Sequence, residues 1–194
     1  MYVILEGIDT AGKSTQLSIL ENKYPDAIFT KEPGGTTIGK KLREMVLNGE
    51  ANSKVAEMFL FLADRAEHAY EIIEKNKTNT IISDRGFLSG IAYAKTIPLE
   101  TTIGLNLLAL QKALPNKIII LKLSKEELEY RLSQKEQDSI EKRGSEYLLD
   151  IQNRMIEAIE IINKKLDKKI ELLIVDASNP IETIASKIEG FLES

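Results

Sequence analysis

Five short apolar runs recur along the chain, at residues 2–5, 27–30, 80–83, 117–123 and 172–175. Several are almost continuously apolar and β-branched, as expected of strands buried on both faces of a parallel sheet. Between them the apolar positions take a helical period. Val55, Phe59, Leu62, Ala66, Ala69 and Ile73 keep three-to-four spacing, as do Leu148, Ile151, Met155, Ile159, Ile162 and Leu166. Repeated strand–helix alternation predicts an α/β fold of three layers, a five-stranded parallel sheet between two sets of helices. A charged stretch near residues 133–146 interrupts the pattern and reads as an insertion. Ligands of such sheets bind beyond the carboxyl ends of the strands, so the residues after each run are where chemistry is sought.

Composition narrows that chemistry. The 194 residues contain no Gly/Ser linker and predict one domain over 1–194. There is no cysteine and a single histidine, His68. Disulfides, thiolate nucleophiles, sulfur-built zinc sites and histidine metal clusters are therefore excluded. Thirty acidic residues against 26 basic ones give a net charge of −4, which argues against nonspecific binding to nucleic acid or anionic membranes. No apolar run approaches the roughly 18 residues of a membrane span. The opening MYVILEGID shows neither a basic leader nor a small-residue cleavage site. A cytoplasmic protein is expected.

The first strand runs directly into GIDTAGKS, which fits G-x-x-x-x-G-K-[ST] through Gly7, Gly12, Lys13 and Ser14, with helix-forming sequence after it. Glycines let successive N–H groups turn toward phosphate oxygens, and the following helix adds its positive N-terminus. Gly7, Ile8, Asp9, Thr10, Ala11, Gly12, Lys13, Ser14 and Thr15 thus form a candidate ATP site. Lys13 is placed to reach the β- and γ-phosphates and Ser14 to hold Mg²⁺. A switch GTPase needs a guanine-reading N-K-x-D; the nearest string, NKTN at 76–79, lacks the aspartate and precedes the third strand. A motor needs a longer chain. Small P-loop kinases remain, and they require a second pocket for the phosphoryl acceptor.

Three further segments supply candidates: TKEPGGT after the second strand, AEMFLFLADRAEH on the helix that follows, and SDRG continuing to Ser89 and Tyr93 after the third. Asp84 and Arg85 stand at the carboxyl end of a buried strand, at the cleft and not on a solvated face. A guanidinium fork there suits a phosphate. Taken alone, Phe61 reads as a core aromatic among Phe59, Leu60 and Leu62. Asp9, inside the P-loop, can approach the metal, with a turn residue bonding its own backbone as the plainer alternative.

With these motifs in order behind a P-loop, the chain resembles the thymidylate kinases, P-loop enzymes that phosphorylate dTMP with ATP·Mg²⁺. The family's T-R-E-P-G-G appears as TKEPGG, its F-x-A-x-R as FLADR, and its D-R-Y-x-x-S-x-x-A-Y as DRGFLSGIAY. The resemblance extends to the closing DASNP at 176–180. It implies a P-loop kinase fold with a helical lid at about 133–146, and a homodimer packed through apolar helices. It also implies roles: Phe61 stacking on thymine, Arg65 bonding the base, and Arg85 clamping the acceptor phosphate. Asp9 would lie near the acceptor's 3′-hydroxyl, Tyr93 beneath the deoxyribose, and Pro33 and Ser89 along the pocket. Asp84, with Ser14, would orient Mg²⁺. His68 has no implied role and reads as filler.

The resemblance leaves the lid cations open. No arginine stands inside the P-loop, which turns attention to the lid, where Arg131 and Lys135 are the first candidates and Arg143 the next. Asp138-Ser139-Ile140-Glu141 resembles the family's D-R-x-E with its arginine lost. Other departures are Lys31 for the usual arginine, and Gly86 for an aromatic, which predicts a looser turn after Arg85. Gly90 stands where family members often carry a side chain on the pyrimidine, and Ala94 where a polar residue lies near the sugar. Two alternatives to dTMP phosphorylation remain at this level. One is a deoxynucleoside kinase recruiting Glu32 as base, the other a nucleotide-dependent switch.

Overall fold

β1 (Tyr2–Gly7) has every residue buried, and its apolar run YVIL is flanked by a parallel neighbour on each side. With β2 (Ile28–Lys31), β3 (Ile81–Asp84), β4 (Lys117–Lys122) and β5 (Glu171–Asp176) it forms one five-stranded parallel sheet in the order β2-β3-β1-β4-β5. These are the five apolar runs, shifted at most two residues at an end. In the edge strands β2 and β5 most residues are only partly covered, because each has one neighbour and not two. The computed structural model describes residues 1–134, 136 and 141–194. Lys135 and Asp138, Ser139 and Ile140 lie outside the described residues.

The helices are α1 (Lys13–Lys23), α2 (Thr37–Leu47), α3 (Lys54–His68), α4 (Phe87–Tyr93), α5 (Leu99–Leu110), α6 (Lys125–Ser133), α7 (Ser145–Lys165) and α8 (Ile181–Glu193). α1 packs on α8 in one layer; α4 packs on α5 and α7, and α3 on α2 and α5, in the other. Side chains of Thr36, Ser53 and Ser124 cap α2, α3 and α6 by accepting from Gly39, Ala56 and Glu127 N–H groups.

The α7 stripe behaves as its spacing predicts: Leu148, Ile151, Met155, Ile159 and Ile162 are buried in the main core. The α3 stripe does not. Val55 and Phe59 are 48% and 53% exposed, while Met58 and Leu62 join Ala109 of α5 in a second, small cluster. The helix passes into a π-turn over Ala69–Ile73, which inserts a residue and turns the buried face by about 100°. Ala69 and Ile73 are buried in the main core, while Val55 and Phe59 are exposed.

Candidate active site

β1, β3 and β2 end side by side, and the loops leaving them converge. At the end of β1, Gly7 takes φ +151°, and a Cβ there would stand 2.9 Å from the Leu121 carbonyl oxygen, so the strand can only turn here without a side chain. Gly12, at φ +92°, opens α1 with no side chain over its N-terminus. Ser14 and Thr15 are exposed on that first turn. Lys13 folds back instead: its Nζ donates to the Gly7 and Ile8 carbonyls at 3.0 Å each and is 8% exposed. Burial, and then the charge of Arg85, lower its pKa to about 8.

Arg85 leaves β3 with φ +66°, a left-handed conformation that costs a non-glycine residue about 1–3 kcal/mol. It is held there because its N–H donates to Leu5 O at 2.9 Å and its carbonyl accepts from Ser83 Oγ at 2.8 Å. The side chain forms an ion pair with Asp9 and donates to Gly7 O at 3.0 Å and Ser89 Oγ at 3.1 Å. Its guanidinium lies 5.9 Å from the centre of the Tyr93 ring, and the Tyr93 hydroxyl donates to Asp9 Oδ2 at 3.4 Å. Asp9, Arg85, Ser89 and Tyr93 are thus one cluster.

Glu6 belongs to it too, though the motifs did not single it out. Fully buried on β1, it accepts from the N–H groups of Gly86 and Ser89 at 3.0 and 3.1 Å through Oε1, and from Ser89 Oγ at 2.6 Å through Oε2. Burial raises its pKa against the pull of those bonds and of Arg85. α4 starts on Gly86, which has no side chain to cap it, and Glu6 satisfies its first amides from the neighbouring strand. A lone carboxylate inside YVILEG was the available signal. Gly86 does not loosen the turn: a Cβ there would lie 2.7 Å from Ile4 Cδ1, so the loop is packed down on β1.

The TKEPGG loop builds the opposite wall. Glu32 is buried, with Oε2 accepting from Arg65 Nε at 2.8 Å and Oε1 2.8 Å from His68 Nδ1. Burial alone would raise its pKa, but Arg65 and His68 hold the carboxyl below its ordinary range. His68 is a fully buried link rather than filler, since its Nε2 lies 2.8 Å from Thr30 Oγ1. Asp64 accepts from Gly34 N at 2.9 Å, and burial, with Glu32 nearby, lifts its pKa to about 6. Arg65 also donates to Gly86 O at 3.0 Å and to Asn106 Oδ1. Phe61 is half-buried and stands outside both apolar clusters, so it is not the core aromatic its sequence neighbours suggest. Pro33 is half-buried beside Glu32.

Arg131, on α6, donates to Thr10 O at 3.0 Å and Ala177 O at 2.6 Å and pairs with Glu127 at 2.7 Å. It ties the P-loop to the loop after β5 and lines a cavity of about 210 Å³ with Gly12, Thr15, Gln16 and Asn179. Arg143 lies over the Tyr147 ring at 5.1 Å and donates to its hydroxyl at 3.0 Å. Lys135 lies outside the described residues.

Among the described residues no three His, Cys, Asp or Glu side chains form a metal cage. Asp84 Oδ1 is buried without a hydrogen-bond partner, close enough to Lys13 for its charge to be felt there. One orphaned carboxylate oxygen and the Ser14 hydroxyl suit a magnesium ion carried chiefly by nucleotide phosphates and water.

Comparison with known proteins finds relatives along nearly the whole chain. The family model for thymidylate kinase matches residues 5–188. A thymidylate kinase of Aliarcobacter butzleri is 58% identical over 192 residues, covering 99% of this chain and 98% of its own. One from Campylobacter jejuni subsp. jejuni is 50% identical over 194 residues, with both chains covered in full. The crystal structure of thymidylate kinase from Ehrlichia chaffeensis superposes with a TM-score of 0.71 at 22% identity, over 100% of this chain and 98% of that one.

Proposed function

The chain belongs to the thymidylate kinase family, and we propose that the site just described carries out that family's reaction with the division of labour below. The protein is an ATP-dependent kinase that phosphorylates dTMP to dTDP. The observation that carries the assignment is the family match across residues 5–188. The P-loop facing the Asp9–Arg85–Tyr93 cluster supports it. Glu32, the base a nucleoside kinase would recruit, has both oxygens engaged by Arg65 and His68.

The P-loop amides and the N-terminus of α1 receive the donor phosphates. Lys13 exchanges the Gly7 and Ile8 carbonyls for phosphate oxygens. The acceptor is itself a phosphate monoester with a second pKa near 6, ionised at pH 7, so no general base is required. Its oxygen attacks the γ-phosphorus in line as the bond to the β–γ bridging oxygen breaks and ADP leaves, and catalysis consists of positioning and of neutralising the equatorial oxygens. Arg85 clamps the acceptor phosphate while Asp9 holds the far side of its fork and the Tyr93 hydroxyl. Phe61 offers an uncovered ring for the pyrimidine, Arg65 a donor at its edge, and Tyr93, Pro33 and Ser89 shape the pocket. Ser14 and Asp84 would hold Mg²⁺, which supplies charge neutralisation at the β- and γ-phosphates. Arg131 serves the base end of the donor, beside the cavity at Gly12 and Thr15; Lys135, with Arg143 next, is the candidate for the lid cation at the γ-phosphate.

A cytoplasmic homodimer completes the reading. Among the described residues no helix is long and apolar enough to cross a membrane. Phe59 on α3 and Leu108 on the adjoining α5 are 53% and 72% exposed, an apolar face suited to a second copy. Light scattering of the purified chain tests the dimer; a monomer at micromolar concentration overturns it. A coupled assay with ATP and dTMP, dUMP, dCMP, AMP and thymidine tests the reaction. Transfer to dTMP is expected, and activity on thymidine but not dTMP would sink the assignment.

A further inference from the structure

The arginine at the acceptor's base is itself held by two residues on other helices. A guanidinium carries five N–H donors. In Arg65, Nε and Nη2 both approach Glu32 Oε2 at 2.8 Å, Nη2 also donates to Gly86 O at 3.0 Å, and Nη1 donates to Asn106 Oδ1. Three donors are spent in hydrogen bonds and Nη2 also lies against Glu32 as an ion pair, while among the described residues the second N–H of Nη1 has no partner. Beside it stands Gly90, where a Cβ would lie 2.6 Å from Nη1, 3.1 Å from Nη2 and 3.1 Å from Asn106 Oδ1. Any side chain at position 90 would displace the guanidinium or cover its remaining donor.

Asn106 keeps one amide N–H and one lone pair uncommitted, but it is only 1% exposed. It is buried, its Nδ2 donates to Thr102 O at 2.7 Å, and its Oδ1 is taken by Arg65. Its hydrogen bond to Arg65 is its link to the candidate site. We propose that Asn106 and Gly90 set recognition of the acceptor's base through Arg65. Asn106 is a positioning residue that turns the fork so that the uncommitted N–H of Nη1 faces a carbonyl oxygen of the pyrimidine, and Gly90, by lacking a Cβ, leaves the fork room to lie in that place. The inference rests on the reading of Arg65 as the base contact.

Steady-state kinetics on full-length variants tests it, with thermal melting alongside. Asn106→Ala is expected to raise KM for dTMP about tenfold, the effect of misplacing one charge-assisted hydrogen bond. KM for ATP and kcat should stay within about twofold of the parent. Gly90→Ala should act in the same direction, and Asn106→Asp, which keeps an acceptor for Nη1, should recover most of the loss. In an Arg65→Lys background Asn106→Ala should add less than about twofold, because its route of action is gone. An unchanged KM for dTMP in Asn106→Ala, or an equal effect in both backgrounds, overturns the inference. If Asn106→Ala does not fold, Gly90→Ala decides: an unchanged KM for dTMP overturns the inference equally. Arg65→Lys with unchanged KM for dTMP instead overturns the base-contact reading itself.

Discussion

Asp9 and Arg85, 76 residues apart in sequence, form an ion pair just beyond the carboxyl ends of two adjacent parallel strands. β1 and β3 each deliver one residue past the sheet, and the pair closes between them. Both side chains keep some exposure, 27% for Asp9 and 19% for Arg85, so the pair is formed but reachable by a ligand. A phosphate arriving there meets a guanidinium already oriented by Asp9, Ser89 and the Gly7 carbonyl.

Replacing Arg85 with alanine should lower kcat/KM for dTMP by about 10²–10³, the scale for losing one preorganised charge stabiliser. ATP affinity, measured by titration calorimetry, should change by only a few-fold. Equal losses in both would mean that Arg85 supports the P-loop and does not clamp the acceptor.

Lys13 carries the pH dependence of donor binding. Burial, and then Arg85, lower its pKa to about 8 in the free protein, and only the protonated amine holds phosphate. Above pH 8, kcat/KM for ATP should therefore fall about tenfold per pH unit. At saturating ATP the fall in kcat should begin at higher pH, since bound phosphates favour the charged amine. A profile flat from pH 7 to 9.5 contradicts this.

Glu6 accepts three hydrogen bonds at the start of α4, and Glu6→Gln turns one acceptor oxygen into a donor facing N–H or O–H groups. A loss of about 2–3 kcal/mol in unfolding free energy is expected, together with a lower kcat as Ser89 and Arg85 lose their seat. Urea denaturation measures the first; a parental midpoint would refute the capping role.

Asp64 tests the TKEPGG wall. Its pKa is raised to about 6 in the folded protein, chiefly by burial, from an unfolded value near 3.9. A raised carboxyl pKa favours folding while the group is protonated, and that advantage is lost as pH climbs through 6. Asp64→Asn keeps an acceptor for Gly34 N without the buried charge. Its Tm relative to the parent should thus be more favourable at pH 8 than at pH 5. The reverse trend would show that the carboxylate is stabilised by its surroundings.

The parts of this molecule readable from sequence are those whose physics is local. The P-loop, TKEPGG, FLADR and DRGFLSGIAY each place their chemistry within a few residues of a strand end or on one helix. Five apolar runs suffice for a parallel sheet because strands buried on both faces need continuous hydrophobicity, and the α7 stripe follows from a helix of unbroken period. The α3 reading fails in part: Met58 and Leu62 are buried while Val55 and Phe59 face outward, and a π-turn follows His68. Arg131, a lid-cation candidate by sequence, is bonded to Thr10 and Ala177, 121 and 46 residues away. Glu6 meets Ser89 across 83 residues and Arg65 meets Asn106 across 41, and no spacing rule encodes such pairs. Local propensity and periodicity thus determined the sheet, most of the helices and the phosphate chemistry. Only the folded chain decided which buried polar groups satisfy one another, because each must find its partner among neighbours that the tertiary packing brings into reach.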